Sequence, residues 1–256
     1  MPRYALGVEY DGTDYFGWQR QHQEPTLQAT LEKALSFVAD EAVEVVCAGR
    51  TDTGVHALGQ VVHFDCAATR TERAFVLGCN SRLPASIALS WAREVPASFH
   101  ARYGARLRSY RFRILRRPTR PALEARHALW VRETIDVERM REGARHLVGR
   151  HDFTSFRTIA CQANSPVREI HRLVLTEDGP WLELQFEANA FLHHMIRNIV
   201  GSLLMVGRGE RPSAWIGEVL ELRDRSKAGQ TAPPQGLTFL SARYLAEFGL
   251  PPEHTL

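Results

Sequence analysis

The chain places an arginine and an acid two residues apart at a glycine turn, in GRTDTGVHALGQVVHF, Gly49 to Phe64. In extended backbone such side chains project to one side, so Arg50 and Asp52 face together while Thr51 and Thr53 face away. Gly54 then permits a sharp bend. An ionised carboxylate held at a strand end can attack an electrophilic carbon or remove a proton. An Asp before a Gly is equally suited to capping its own turn, and this stretch alone supports both roles.

Three further segments carry candidate partners. Asp11 to Arg20, DGTDYFGWQR, sets Tyr15, Phe16 and Trp18 among glycines, where the rings could stack on bases or pack a turn. Ser109 to Arg113, SYRFR, alternates, so Tyr110 and Phe112 share one strand face and Arg111 and Arg113 the other. That is either an aromatic platform for nucleic acid or an ordinary amphipathic strand. Phe191 to Gly201, FLHHMIRNIVG, has the apolar stripe Leu192, Ile196, Ile199 and Leu203, with Arg197 beside it. A half-buried arginine there needs an acid, and Asp52, Glu187 and Glu218 are the candidates.

Other chemistries lack residues. Eleven histidines include no HExxH or related ligand spacing. His193 and His194 are adjacent, which on a helix splays them about 100° apart. Cys47, Cys66, Cys79 and Cys161 form no CxxC pair, and there is no GxSxG elbow or glycine-rich phosphate loop. What remains is a carboxylate working with arginine and an aromatic, without metal or cofactor.

The elements that must position these groups alternate regularly. Strand patterns at Arg3–Tyr10, Val43–Ala48, Gly59–Phe64 and Ile87–Val95 enclose helices at 26–39 and 73–82, giving β-α-β-β-α-β. After Pro96 to Gly104 the order recurs. A strand at 105–115, a helix at 136–148, a hairpin of 167–176 with 181–188 around Asp178-Gly179, a helix from about 190 to 206 and a strand near 239–245 are expected, with an extra helix at 213–222. The fold class is therefore α+β: two ferredoxin-like halves with mixed, largely antiparallel sheets and flanking helices, divided as residues 1–104 and 105–256.

With 256 residues, 44% of them hydrophobic, the chain has ample core. It has no apolar run of membrane-spanning length and no signal segment before the first strand, so a cytoplasmic location is expected. The net charge of +3 hides a polarity: Arg102 to Arg126 holds nine arginines against Glu124, a local +8 that leaves −5 elsewhere. Of 32 basic residues, 30 are arginine, the side chain suited to phosphate forks and base stacking. A polyanion partner is favoured, with Arg111, Arg113 and Arg116 as candidate phosphate contacts.

Seven stretches together resemble the tRNA pseudouridine synthase A family: YDGTDYFGWQRQ at Tyr10, GRTDTGVHA at Gly49, SYRFRI at Ser109, HDFTSF at His151, CQANSPVREI at Cys161, FLHHMIRNIVG at Phe191 and APPQGL at Ala232. The resemblance implies isomerisation of uridine at positions 38, 39 and 40 of the tRNA anticodon stem-loop. It implies that Asp52 is the catalytic aspartate, that Tyr110 contacts the target uracil, and that Arg50 and Arg197 order the site. It further implies a homodimer and no metal or organic cofactor. Residues 116–132 and 207–229 match no motif that transfers residue by residue.

Overall fold

A computed structural model describes residues 1–159 and 161–256. Two compact units emerge, one of Met1–Arg108 with Thr238–Leu256 and one of Ser109–Leu237.

In the first unit, β1 (Arg3–Tyr10) is a nearly continuous buried run, as a central strand must be. It pairs antiparallel with β4 (Ile87–Val95) on one side and β3 (His56–Asp65) on the other. β2 (Val46–Cys47) adds to β3 through Val46↔His63 and Cys47↔Val62, giving the order β4-β1-β3-β2 expected of a ferredoxin-like half. Only two residues of the expected 43–48 strand pair in this way. Helix α1 (Leu27–Ala39) begins at Thr26, whose hydroxyl accepts the Ala29 N–H, and buries Leu27, Leu31, Ala34 and Leu35. Helix α2 (Glu72–Asn80) is capped alike by Thr71 and buries Phe75 and Cys79. Phe75 closes a ring cluster with Tyr4 at 4.9 Å and Phe64 at 5.3 Å. Burying such a ring stabilises by about 2–3 kcal/mol.

The closing strand β10 (Leu237–Arg243) runs parallel to β3 through Thr238↔His56 and Phe239↔Ala57. The sequence division assigned everything after residue 104 to the second half, whereas 238–256 group with the first unit. The Tyr244 hydroxyl donates to the Ala101 carbonyl at 2.7 Å and reinforces that grouping. Pairing between distant strands leaves no local pattern, so hydrophobic period could not assign it.

The second unit begins within β5 (Leu107–Arg116), and its sheet runs β5-β9-β8-β7. β8 (Val167–Asp178) and β9 (Trp181–Ala188) form the expected hairpin, with Gly179 left-handed at φ +55°. Two short strands escaped the pattern: β6 (Leu129–Val131), parallel to β5, and β7 (Gly149–Asp152), antiparallel to β8. Helix α3 (Val137–Arg145) caps on Asp136 and buries Val137, Met140 and Ala144. Helix α4 (Met195–Gly207) starts five residues later than its periodicity suggests. Asn189 holds the preceding turn by accepting the N–H groups of Glu169 and Ala190, and His194 sits left-handed at φ +61°. His193 and His194 thus precede the helix, with ring centroids 4.1 Å apart rather than splayed. Helix α5 (Trp215–Leu222) completes the unit. Among the described residues, no helix is long and apolar enough to cross a membrane.

One buried group makes stability depend on pH. Burial, the neighbouring His100 and Arg3 push the His63 imidazole down to about 4, against a smaller opposing pull from Asp65. A histidine depressed in the folded state stabilises fully above its unfolded value near 6.5 and loses that contribution as pH falls toward 4. Burial also depresses His100 and His254. Denaturant unfolding is therefore expected to lose about 3 kcal/mol between pH 6.5 and 4 from His63 alone. His63→Gln should flatten that window. An unchanged slope in the variant would remove His63 as the cause.

Candidate active site

Asp52 occupies the first position of a tight turn in the first unit, with the Val55 N–H donating to the Asp52 carbonyl at 3.1 Å. Gly54 is left-handed at φ +77°, a conformation that favours glycine. The stem before the turn is held by the buried amide of Gln60. Its Nε2 donates to the Gly49 carbonyl at 2.7 Å and its Oε1 accepts the Gly49 N–H at 3.3 Å. The same Nε2 reaches the Tyr10 hydroxyl at 3.4 Å, which shares a 2.8 Å hydrogen bond with the Thr51 hydroxyl. Thr51 is buried, Asp52 half-buried and Arg50 exposed, whereas Thr53, expected to face away with Thr51, is exposed in the turn.

The loop after β1 closes over this turn from behind. A Cβ on Gly12 would meet the Val55 carbonyl oxygen at 2.0 Å, and one on Gly17 would meet the Thr51 oxygen at 2.8 Å. The Trp18 N–H donates to that Thr51 oxygen at 2.9 Å, and the Gly12 N–H to His56 Nδ1 at 3.2 Å. Both glycines therefore admit backbone against backbone. Trp18 is only 2% exposed, with its ring 5.9 Å from that of Tyr10. Its burial fits the packing role rather than a stacking face.

The surroundings bear on the charge at this turn. Burial pushes the Cys47 thiol up to about 12 against opposing pulls from Arg50, Arg102 and Arg108. A thiol so disposed stays protonated and inert, while three guanidinium groups act around the stem that leads to Asp52.

In the second unit, Tyr110 on β5 is 7% exposed and meets Phe191 edge-on at 5.1 Å. Arg197, in the first turn of α4, is half-buried. Its Nε donates to the Ala232 carbonyl at 2.8 Å, and the Ala232 N–H returns a bond to the Arg197 carbonyl at 3.0 Å. Beside it, fully buried Asn198 donates to the Phe156 carbonyl at 2.8 Å, and its Oδ1 accepts from Arg225 at 3.0 Å and the Thr231 hydroxyl at 2.7 Å. Asn198 thus ties the HDFTSF stretch, α4 and residues 225–232 together. Neither it nor Gln60 was singled out from sequence. The available signal was a lone amide at a core-facing position, which must find partners when buried.

The arginines of β5 divide. Arg113 lies 4.0 Å over the Trp181 ring, with Nε 3.2 Å from Glu183 and Nη1 3.6 Å from Glu124. Arg116 pairs with Glu177 at 2.8 Å and donates to the Gly179 carbonyl. Arg111, half-buried, has no ion pair among the described residues. Paired guanidinium groups have less charge to offer a phosphate, so the three candidates are not equivalent.

Comparison with known proteins matches residues 7–104 and 144–245 to a family described as tRNA pseudouridine synthase. Three relatives bear the name tRNA pseudouridine synthase A. That of Methylococcus capsulatus is 52% identical over 97% of this chain and 92% of its own. That of Pseudomonas aeruginosa is 53% identical over 98% and 88%. That of Stenotrophomonas maltophilia strain R551-3 is 52% identical over 99% and 100%.

Proposed function

The chain belongs to the tRNA pseudouridine synthase family, and from that premise we propose that it converts uridine to pseudouridine at positions 38, 39 and 40 of the anticodon stem-loop, with Asp52 as the catalytic carboxylate. Its reaction class follows from the family: it is an isomerase acting on uridine in tRNA. What carries the assignment of Asp52 is its setting. A buried scaffold of Gln60, Tyr10 and Thr51 and two close-packed glycines support a turn whose acid is half-buried, more support than a capping residue requires.

Pseudouridine formation breaks the C1′–N1 bond, turns the uracil, joins C1′ to C5, and moves the C5 proton away while N1 gains one, so mass is conserved. An ionised carboxylate can begin this by attacking C1′, by adding to C6, or by taking a sugar proton. In this reading Tyr110 contacts the uracil and Arg50 and Arg197 order the site. The base must leave its stack to be reached, at a cost of a few kcal/mol offset by phosphate contacts. The protein acts as a homodimer in the same reading, without a metal or organic cofactor.

Incubating the protein with unmodified tRNA tritiated at uridine C5, followed by mapping of modified positions, tests the proposal. Tritium release with pseudouridine at 38 to 40 is expected. Release of free uracil would make the protein a glycosidase, and modification elsewhere would overturn the positional assignment.

Binding makes a second expectation. Arg111→Gln should lower the slope of log affinity against log salt by about 0.7–0.9, the value of one lost phosphate contact. Arg113→Gln and Arg116→Gln should change it by less than half as much, because Glu183, Glu124 and Glu177 already hold those charges. Filter binding across a salt series reads the difference. Equal slopes in all three variants would put the RNA on another face.

A further inference from the structure

Outside the Asp52 turn, the first unit carries an exposed aromatic ring on a built support. Tyr103 is 76% exposed, in contrast to the buried rings around it. Its ring lies 4.4 Å from that of His100 at an interplanar angle of 36°, and His100 lies 4.7 Å from His63, so three rings form a short column that ends in solvent. Neutral imidazoles suit such a column, and burial depresses both histidines.

The loop beneath is pinned at each step. His100 Nδ1 accepts the N–H groups of Arg102 at 3.2 Å and Tyr103 at 3.1 Å, and the Gly104 N–H donates to the His100 carbonyl at 2.8 Å. His63 Nδ1 accepts the Ala101 N–H at 3.2 Å. Buried Arg108 then donates to the Arg102 carbonyl at 2.5 Å, the Ala105 carbonyl at 3.3 Å and the Ala48 carbonyl at 3.1 Å. Ala48 lies in the stem of the Asp52 turn, four residues before the acid. One guanidinium thus joins the Tyr103 loop to the segment that presents the carboxylate.

We propose that Tyr103 is a stacking platform for an unpaired base of the tRNA substrate, with Arg102 and Arg106 meeting the adjoining phosphates and Arg108 holding the platform in register with Asp52. The inference rests on the reading of the protein as acting on tRNA. Residues 96–108 contain three arginines and no acid, and both Arg102 and Arg106 are exposed. The Arg102 guanidinium lies 5.6 Å from the Tyr103 ring centre. A bare ring beside the Arg102 guanidinium, on a stretch of chain without acids, suits a base and its backbone better than an apolar protein surface. A ring backed by two others is held flat without its own side-chain entropy being lost on binding.

The test titrates wild-type, Tyr103→Ala, Tyr103→Phe and Tyr103→Trp proteins with one unmodified tRNA transcript. Loss of one base stack is expected to weaken binding about tenfold in Tyr103→Ala. Tyr103→Phe should stay within twofold of wild type, and Tyr103→Trp should add a fluorescence signal quenched on binding. Binding by Tyr103→Ala within twofold of wild type would overturn the proposal. So would a changed sedimentation coefficient with unchanged tRNA affinity, which would assign the ring to a protein contact. If wild type makes no pseudouridine but Tyr103→Ala still loses affinity, the enzymatic reading fails and the platform stands. If pseudouridine forms and affinity is insensitive to residue 103, only the platform fails.

Discussion

Asp52→Asn protein is expected to form no pseudouridine above about one part in 10⁴ of the wild-type rate while binding tRNA within a few-fold of wild type, because the substitution removes a charge and leaves shape intact. The closing hydrogen bond of the turn does not use that charge. It runs from the Val55 N–H to the Asp52 backbone carbonyl, and asparagine forms such turns as readily as aspartate. The variant should therefore still fold with the turn in place. The two roles that the motif permits separate cleanly here: a turn former survives the change, a nucleophile or base does not. Single-turnover assays by tritium release, with a denaturant melt of the same preparation, read both. Turnover within tenfold of wild type in a folded variant would remove Asp52 from the chemistry.

The Asp52 turn and the faces of β5 and α4 were legible in the chain because each is local. Arg50, Asp52 and Gly54 are consecutive enough for backbone period to orient them, and Tyr110 and Phe112 are both buried as strand alternation requires. The stripe Leu192, Ile196, Ile199 and Leu203 is likewise buried. What period could not convey was the support. Gln60 lies eight residues beyond Asp52, yet it reaches back to Gly49 and across to Tyr10. Asn198 finds its partners at Phe156, Arg225 and Thr231, in segments that carried no transferable motif in part. Trp18 illustrates the opposite limit: aromatic content in a polar loop left base stacking and turn packing both open, whereas the glycines beside it are the informative residues. They let the loop lie against the turn, and the tryptophan is buried there. The arginines of β5 show why charge counts overstate a binding surface, since Glu177, Glu183 and Glu124 lie outside the local window or weigh little in it, yet pair with Arg116 and Arg113. Strand β10 shows the same limit for topology: nothing in Leu237–Arg243 announces that its partner is β3.

Those glycines make the second large expectation. In Gly12→Ala the added carbon would lie 2.0 Å from the Val55 carbonyl oxygen and 2.8 Å from its carbon. Both atoms are backbone in the turn that follows Asp52, so no side chain can swing aside. Either the loop lifts, weakening the Gly12 N–H bond to His56, or the turn moves and carries Asp52 with it. Overpacking of this kind costs about 1–3 kcal/mol of stability. A displacement near 1 Å at the acid costs about 10²-fold in rate, because the reacting atoms must sit in near-attack geometry. Gly249→Ala supplies the control. That glycine is left-handed at φ +64° with nothing within 4 Å, so alanine there should cost about 1 kcal/mol in backbone strain and leave the rate alone. Comparing the two variants well below their melting temperatures separates lost folding from lost alignment. Gly12→Ala should be slow even when fully folded, and Gly249→Ala should not. A folded Gly12→Ala protein with wild-type turnover would show that the turn tolerates the loop's retreat, and that the close packing behind Asp52 serves stability alone.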